Sequence, residues 1–493
     1  MNRPPSLHTV ALLYGLAAFV AGVQAAPASP AAARPEFHEC QIGAADAVQR
    51  QQALCATVTV PEDRQHPSAK KIGLHVAWLR ARASIPESDA LFFIAGGPGQ
   101  ASTEAFLEES PAFDRIRGEH DVVLVDQRGT GSSNRLDCPA PPGDAQPSDA
   151  QISAAAEACL KQLPGDPRFY TTTVAVQDLE AVRAAMGYPE VDLYGISYGT
   201  RVALQYLRAY PDSVRSVILD GVVPADLALG PGVSLDAQRA LGLIFKRCDA
   251  DAACHKAFPD LAADFAGLQR GLAAHPASVT LRDPLSGAPR TETLDWDKVA
   301  GAVRLMSYQS ETASLLPLLI HQAGAAHDYA PLMGAALIFS SEIDDSFANG
   351  MSAAVLCTED APFLTGDYAK ALQDTYLGAY TVDTLMKSCK LWPRGVMAPD
   401  FKQPVVSAKP VLLLSGEDDP ITPPANAEHA AKTLSNSLSL VVPGQGHGNV
   451  FRGCVPRIAA AFVDAGSIRS LDAACVKEIK PFPFFMTFSG PSP

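Results

Sequence analysis

The sequence predicts an α/β fold: a mostly parallel sheet with helices on both faces, carrying a mostly helical insertion. Three observations predict it. Short, continuous apolar runs at Leu91–Ala95 and Val122–Val125 are those of strands buried on both faces. Such runs alternate with helical patterns up to about residue 225. The same pattern returns at Pro410–Leu414 and Ser437–Val442, after a stretch without regular strands.

Along the chain, residues 26 to 35 are rich in Ala and Pro, without periodicity. Ala53–Val60 and Ile72–Ala81 read as a hairpin, with Leu74, Val76 and Trp78 in period two. Ala175–Met186 has helical spacing, Val191–Tyr194 reads as a strand, Thr200–Tyr210 as a helix and Val214–Leu219 as a strand. Between 226 and 400 helical stretches dominate, with one possible hairpin at Ser278–Leu294. A helix near Ala425–Leu434 separates the last two strands. Pro139–Pro147 reads as an exposed loop. The expected organisation is a signal peptide at 1–25, a first core part at 36–225, a helical lid insertion at 226–400 and a second core part at 401–493.

The chain has 493 residues, 47% of them apolar and 19% charged, which supports a sizeable core. Acidic residues outnumber basic ones by 53 to 39, for a net charge of −14. That balance argues against nucleic acid as a partner, since phosphates are neutralised by Lys and Arg. Arg3 followed by the apolar run Val10–Val23 and the small residues of Val23-Gln24-Ala25 reads as a secretory signal. Fourteen residues rise only about 21 Å as a helix, short of a hydrocarbon core of about 30 Å. No later stretch is long enough to span, so export to the periplasm or beyond is expected, with no membrane span once the signal is removed. Ten cysteines suit an oxidising compartment. Pairing neighbours gives Cys40–Cys55, Cys138–Cys159, Cys248–Cys254, Cys357–Cys389 and Cys454–Cys475 as the expected disulfides. The short Cys and His spacings of a zinc site do not occur, so no metal is expected.

Gly195-Ile196-Ser197-Tyr198-Gly199 lies where a strand ends and a helix begins. A nucleophile on so sharp a turn needs neighbours without side chains, and the helix N-terminus favours developing negative charge. Gly416-Glu417-Asp418-Asp419-Pro420 follows one later strand, and Gly444-Gln445-Gly446-His447-Gly448 follows the next. Ser, Asp, His, each at a parallel strand's carboxyl end, is the order of the α/β-hydrolase triad. Asp418 and Asp419 compete for the acid; Asp419, three residues after Gly416 and backed by Pro420, is preferred, leaving Asp418 as a solvated or helix-capping neighbour. Ala95-Gly96-Gly97-Pro98-Gly99 follows an earlier strand. Its Gly97 N–H, with that of Tyr198, would form the oxyanion hole, because Pro98 has no N–H to give.

Gly96-Gly97-Pro98-Gly99, Asp126-Gln127-Arg128-Gly129-Thr130-Gly131, Gly195-Ile196-Ser197-Tyr198-Gly199 and Gly416-Glu417-Asp418-Asp419-Pro420 resemble segments of secreted tripeptidyl aminopeptidases and proline iminopeptidases, serine exopeptidases of the α/β-hydrolase fold. The resemblance is close before residue 225 and after 405. It departs at Ala95, where many proline iminopeptidases have His. It implies a serine aminopeptidase without metal or organic cofactor, releasing short peptides or proline-containing residues from free N-termini. Ser197 would attack, His447 move the proton and Asp419 orient the imidazole. A free α-ammonium calls for carboxylates, and Cys357-Thr358-Glu359-Asp360 offers Glu359 and Asp360, held by a disulfide. Arg128 is expected to tie loops together, and the Phe-rich tail Pro481–Phe488 to pack across the lid or core. A carboxylesterase or lipase would share the triad, and a non-catalytic binding protein could share the scaffold. No oligomeric state is specified.

Overall fold

The computed structural model describes residues 34–43, 50–138 and 148–491. The signal peptide, most of the leader and the Pro139–Pro147 loop lie outside them.

Nine strands form one sheet: β1 (His38–Ile42), β2 (Gln51–Pro61), β3 (Lys71–Leu79), β4 (Ala90–Ile94), β5 (Asp121–Val125), β6 (Val191–Ile196), β7 (Val214–Asp220), β10 (Val411–Gly416) and β11 (Ser437–Val442). Their spatial order is β1-β2-β3-β5-β4-β6-β7-β10-β11. β1, β2, β3 and β5 run antiparallel to one another in turn, and from β5 to β11 every pairing is parallel. β1 is an addition to the expected strands.

Period two explains how one apolar run serves two layers. Ala90, Phe92 and Ile94 of β4 pack on one face with the helices Thr172–Met186 and Tyr198–Ala209. Leu91 and Phe93 pack on the other with the helices Ser102–Glu109 and Val455–Ala465. Every β4 residue is therefore buried.

Between β7 and β10 the chain is mostly helical, with one antiparallel hairpin, β8 (Ala277–Arg282) and β9 (Pro289–Leu294). This insertion has its own core, including Leu241, Ile244, Phe265, Leu294, Val303 and Leu316. The tail seals that core: Phe484 is buried in it, Phe485 and Met486 pack against it, and Phe485 N donates to Ser314 O at 3.1 Å. Arg128 is fully buried and binds both carboxylate oxygens of Asp178 and the carbonyls of Pro61, Glu62 and Phe169, joining three loops. All five expected disulfides are formed.

Candidate active site

Ser197 connects β6 directly to the helix Tyr198–Ala209 and adopts φ 55°, ψ −126°. A non-glycine residue there is strained by about 1–3 kcal/mol, and such strain persists only where the surroundings fix it. They do so here. Ser197 N donates to Asp220 O at 2.8 Å, and Thr200 Oγ1 donates to Ser197 O at 2.6 Å. A Cβ on Gly195 would collide with Gly199 O, and one on Gly199 with Ile94 O, so the turn closes only with glycine at both positions. The Gly96–Gly97 segment lies against the serine: a Cβ on Gly96 would be 3.0 Å from Ser197 Cβ and 3.6 Å from its Oγ.

Asp419 and His447 come from the loops after β10 and β11. The Asp419 carboxylate is fully buried. Its Oδ1 accepts from Ile421 N at 2.9 Å and Thr422 N at 2.8 Å, and its Oδ2 from Thr422 Oγ1 at 2.7 Å. Oδ2 also lies 2.9 Å from His447 Nδ1, which fixes the imidazole through that nitrogen and leaves Nε2 for chemistry. The insertion closes on this loop: His447 N donates to Tyr308 O at 2.6 Å, Gln309 Nε2 donates to His447 O at 3.2 Å, and the Tyr308 ring meets the imidazole edge-on at 5.2 Å. Burial pushes the Asp419 carboxyl up, but the His447 charge and the hydrogen bonds from His447, Thr422 N and Ile421 N outweigh it and hold it below the usual carboxylate range. Burial pushes His447 down, and Asp419 outweighs that too, so its pKa is raised.

The structure brings Asp419 and His447 into contact and sets the Ser197 turn beside them. Among the described residues no hydrogen bond joins Ser197 Oγ to His447. The two loops are linked through β7 instead. Asp220, at its end, holds the Ser197 turn by its carbonyl and the histidine loop by its carboxylate, which accepts from Asn449 N and Val450 N at 2.7 Å. A Cβ on the next residue, Gly221, would lie 2.8 Å from His447 Cε1.

Three readings of the sequence change. Asp418 is neither solvated nor a cap: it is buried and paired with Arg247. Glu359 and Asp360 do not present free carboxylates, because both are fully buried with their oxygens occupied. Asp360 accepts from the two terminal Arg201 nitrogens at 2.9 Å, and Glu359 accepts from Thr172 N at 2.7 Å and Thr172 Oγ1 at 2.8 Å. Sequence reasoning also missed Thr422, Asp220, Tyr308 and Glu109. A carboxylate closing the strand Val214–Asp220 was the one available signal, since Thr422, Tyr308 and Glu109 gain their roles only through tertiary contacts.

Glu109 and Asp220 both approach Tyr194 Oη, at 2.7 and 3.2 Å. Burial, then the neighbouring Asp220 charge, pushes Glu109 up to about 8, and burial pushes Asp220 up to about 6. An acid with a raised folded pKa holds a proton that the unfolded chain has released, so stability falls as pH rises between the unfolded and folded values. Wild-type protein is therefore expected to lose stability between about pH 5 and pH 8. Glu109→Gln, which keeps an acceptor for Tyr194, should flatten that loss; urea midpoints at both pH values measure it, and an unchanged slope would count against the assignment.

Asp89, His120 and Asp192 form a buried cluster at the amino ends of β4, β5 and β6, but Arg215 lies within it, 2.7 Å from Asp89 and 3.6 Å from Asp192. The guanidinium supplies there the positive charge that a metal would bring.

Comparison with known proteins agrees with this fold. Residues 89–275, which include Gly97 and Ser197, match the alpha/beta hydrolase fold family, and residues 374–475, which include Asp419 and His447, match the TAP-like protein family. The serine protease Hip1 of Mycobacterium tuberculosis is 26% identical over 95% of this chain and 96% of its own. Tripeptidyl aminopeptidase of Streptomyces lividans is 30% identical over 41% of each chain. Proline iminopeptidase of Arabidopsis thaliana is 30% identical over 28% of this chain and 27% of its own. With its sheet order, its strained serine turn and its Asp–His pair after the last two strands, the chain has the α/β-hydrolase fold and is similar to the tripeptidyl aminopeptidases and proline iminopeptidases.

Proposed function

We propose that this protein is an exported serine aminopeptidase that releases short peptides or proline-containing residues from free N-termini. The observation that carries the reading is the imidazole locked through Nδ1 by buried Asp419 beside the strained Ser197 turn. Ser197 Oγ attacks the peptide carbonyl carbon as His447 Nε2 takes its proton, and Asp419 stabilises the resulting imidazolium. The carbonyl oxygen becomes an oxyanion held by the Gly97 and Tyr198 N–H groups. His447 returns the proton to the leaving nitrogen, and the C–N bond breaks to give an ester on Ser197. Water, deprotonated by His447, then attacks that ester and releases the acyl peptide and Ser197. The contact between serine and histidine closes as substrate binds, as it often does from an open free site.

The insertion acts as a lid, limiting access to small or unfolded peptides; Tyr308 and Gln309 support this by their hold on the histidine loop. Five disulfides and the leader sequence support export. Among the described residues no helix is long and apolar enough to cross a membrane.

With Glu359 and Asp360 occupied, Asp236 is the carboxylate suited to hold the α-ammonium. It lies one helical turn before Arg239, whose guanidinium binds Asp419 O at 2.7 Å and Glu417 O at 2.8 Å, so both share the face turned to the acid loop. It is half-buried, and burial pushes its pKa up to about 6, a shift that an arriving ammonium would reverse. Asp236→Asn is expected to lower kcat/KM for an unblocked peptide by about ten- to a hundredfold, with little effect on a small acetate ester. The same peptide, free and N-acetylated, tests the wider reading by product mass: cleavage of the free form alone supports an aminopeptidase. Equal cleavage of both would remove that specificity and leave a broader serine hydrolase.

A further inference from the structure

One helix of the insertion, Asn349–Glu359, reaches both strands of backbone from which the proposed oxyanion donors come. At its start it grips the loop that carries Gly97. Ala348 N donates to Gly99 O at 3.0 Å, Ser352 Oγ donates to Pro98 O at 2.7 Å, and Phe347 pairs with Gln100 as an antiparallel bridge. The fit is close: a Cβ on Gly99 would be 2.9 Å from Ala348 O, and one on Gly97 would be 3.2 Å from the Phe347 ring.

At its far end the same helix reaches Tyr198. Thr172 Oγ1 donates its single proton to Glu359 Oε2 at 2.8 Å, so in its 2.6 Å contact with Tyr198 Oη the tyrosine must be the donor. The order is Tyr198 Oη–H to Thr172 Oγ1, and Thr172 Oγ1–H to Glu359. Every member of this relay is buried. The next residue, Asp360, binds Arg201, one turn after Tyr198 on the helix behind the nucleophile, and accepts from Leu229 N at 2.9 Å. Cys357–Cys389 anchors the helix to the end of the helix Tyr380–Ser388.

We infer that the helix Asn349–Glu359 is a brace that sets the spacing between the two oxyanion donors, with Ser352 positioning the Gly97 loop and Glu359 positioning Tyr198 through Thr172. The inference rests on the proposed serine-hydrolase reading and deepens it. An element that only covered the substrate would touch one side of the site; this one is hydrogen-bonded directly to the Gly97 loop and, through Thr172, to Tyr198. Buried hydrogen-bonded carboxylates are costly to leave half-satisfied, so the relay holds its geometry tightly. The brace acts on the tetrahedral state more than on the bound peptide, so its loss should appear in kcat and not in KM.

The test uses the full chain with Ser352→Ala, Tyr198→Phe, Glu359→Gln and the Tyr198→Phe/Glu359→Gln double variant. Tyr198→Phe removes only the hydroxyl and keeps the backbone donor. Active sites are counted by fluorophosphonate labelling, and turnover of an unblocked tripeptide p-nitroanilide is compared with inhibition by a peptide aldehyde, which Ser197 would convert to a tetrahedral adduct. Each single variant is expected to lower kcat per active site about tenfold and weaken the aldehyde by a similar factor, with KM within about twofold. The double variant should lose no more than the worse single one, because both cut one relay. Unchanged kcat, a loss confined to KM, or losses that multiply in the double variant would overturn the brace. Should the relay variants fail to fold, Ser352→Ala decides alone by the same kcat and aldehyde criteria, since it removes one partly exposed hydroxyl. Ser197→Ala, run alongside, separates the two claims: turnover near the wild-type rate there would sink the serine-hydrolase reading itself, whereas a Ser197→Ala reduced to its residual rate beside unaffected brace variants would sink only the brace.

Discussion

Replacing Ser197 by Ala is expected to lower peptide turnover by about 10⁴- to 10⁶-fold, the scale on which a nucleophile's loss removes covalent catalysis. The residual rate would come from binding and oxyanion stabilisation alone. The fold should survive, because the Ser197 contacts that hold the turn are made by its backbone N and O. Alanine carries the same strain at φ 55°, so stability should change by less than about 1 kcal/mol. Initial rates on an unblocked peptide, paired with a thermal melt, measure both. A variant that folds like wild type and still cleaves would rule out Ser197 as the nucleophile.

The second large effect separates two adjacent carboxylates. Asp419→Asn is expected to lower kcat by about 10⁴-fold, because an amide facing Nδ1 favours the wrong imidazole tautomer. Asp418→Asn should leave kcat within a few-fold. It removes the partner of Arg247 on the insertion, and its cost should appear as lost stability. The pH profiles should differ as well. His447 must be neutral to take a proton, and Asp419 raises its pKa, so wild-type kcat/KM should climb with pH through a value above the ordinary 6.5. Asp419→Asn should move that limb to lower pH, and Asp418→Asn should not.

The same pair sets opposite trends in stability. The folded pKa of His447 is raised, so its stabilisation is complete below 6.5 and fades as pH rises through the raised value. The folded pKa of Asp419 is lowered, so its stabilisation is present above 3.8 and fades as pH falls through the lowered value.

Strands buried on both faces were plain in the sequence because their environment leaves few options: β4, β5 and β6 are almost wholly apolar, and the chain has little else to place there. β1 was not legible, since only Ile42 of its five residues is buried and pairing with β2 holds it. Ser197, Asp419 and His447 stood out because each follows a strand within a glycine-bearing turn, a local signature. Asp220 offered only a carboxylate at a strand's end, which does not by itself report a role. Its role depends on N–H groups of Asn449 and Val450, more than two hundred residues away. Glu359 and Asp360 show the opposite difficulty. Their charge was visible, but Arg201 and Thr172, which occupy them, lie 159 and 187 positions earlier. Sequence reports that a carboxylate is present; only the fold reports what has claimed it.

Covalent labelling with a fluorophosphonate, mapped by peptide mass, tests the central claim most directly. The account predicts one phosphonyl group per chain, on Ser197, with peptide cleavage falling in step with labelling and the labelling rate rising as His447 loses its proton. A label on any other residue, or cleavage that continues undiminished in fully labelled protein, would contradict it.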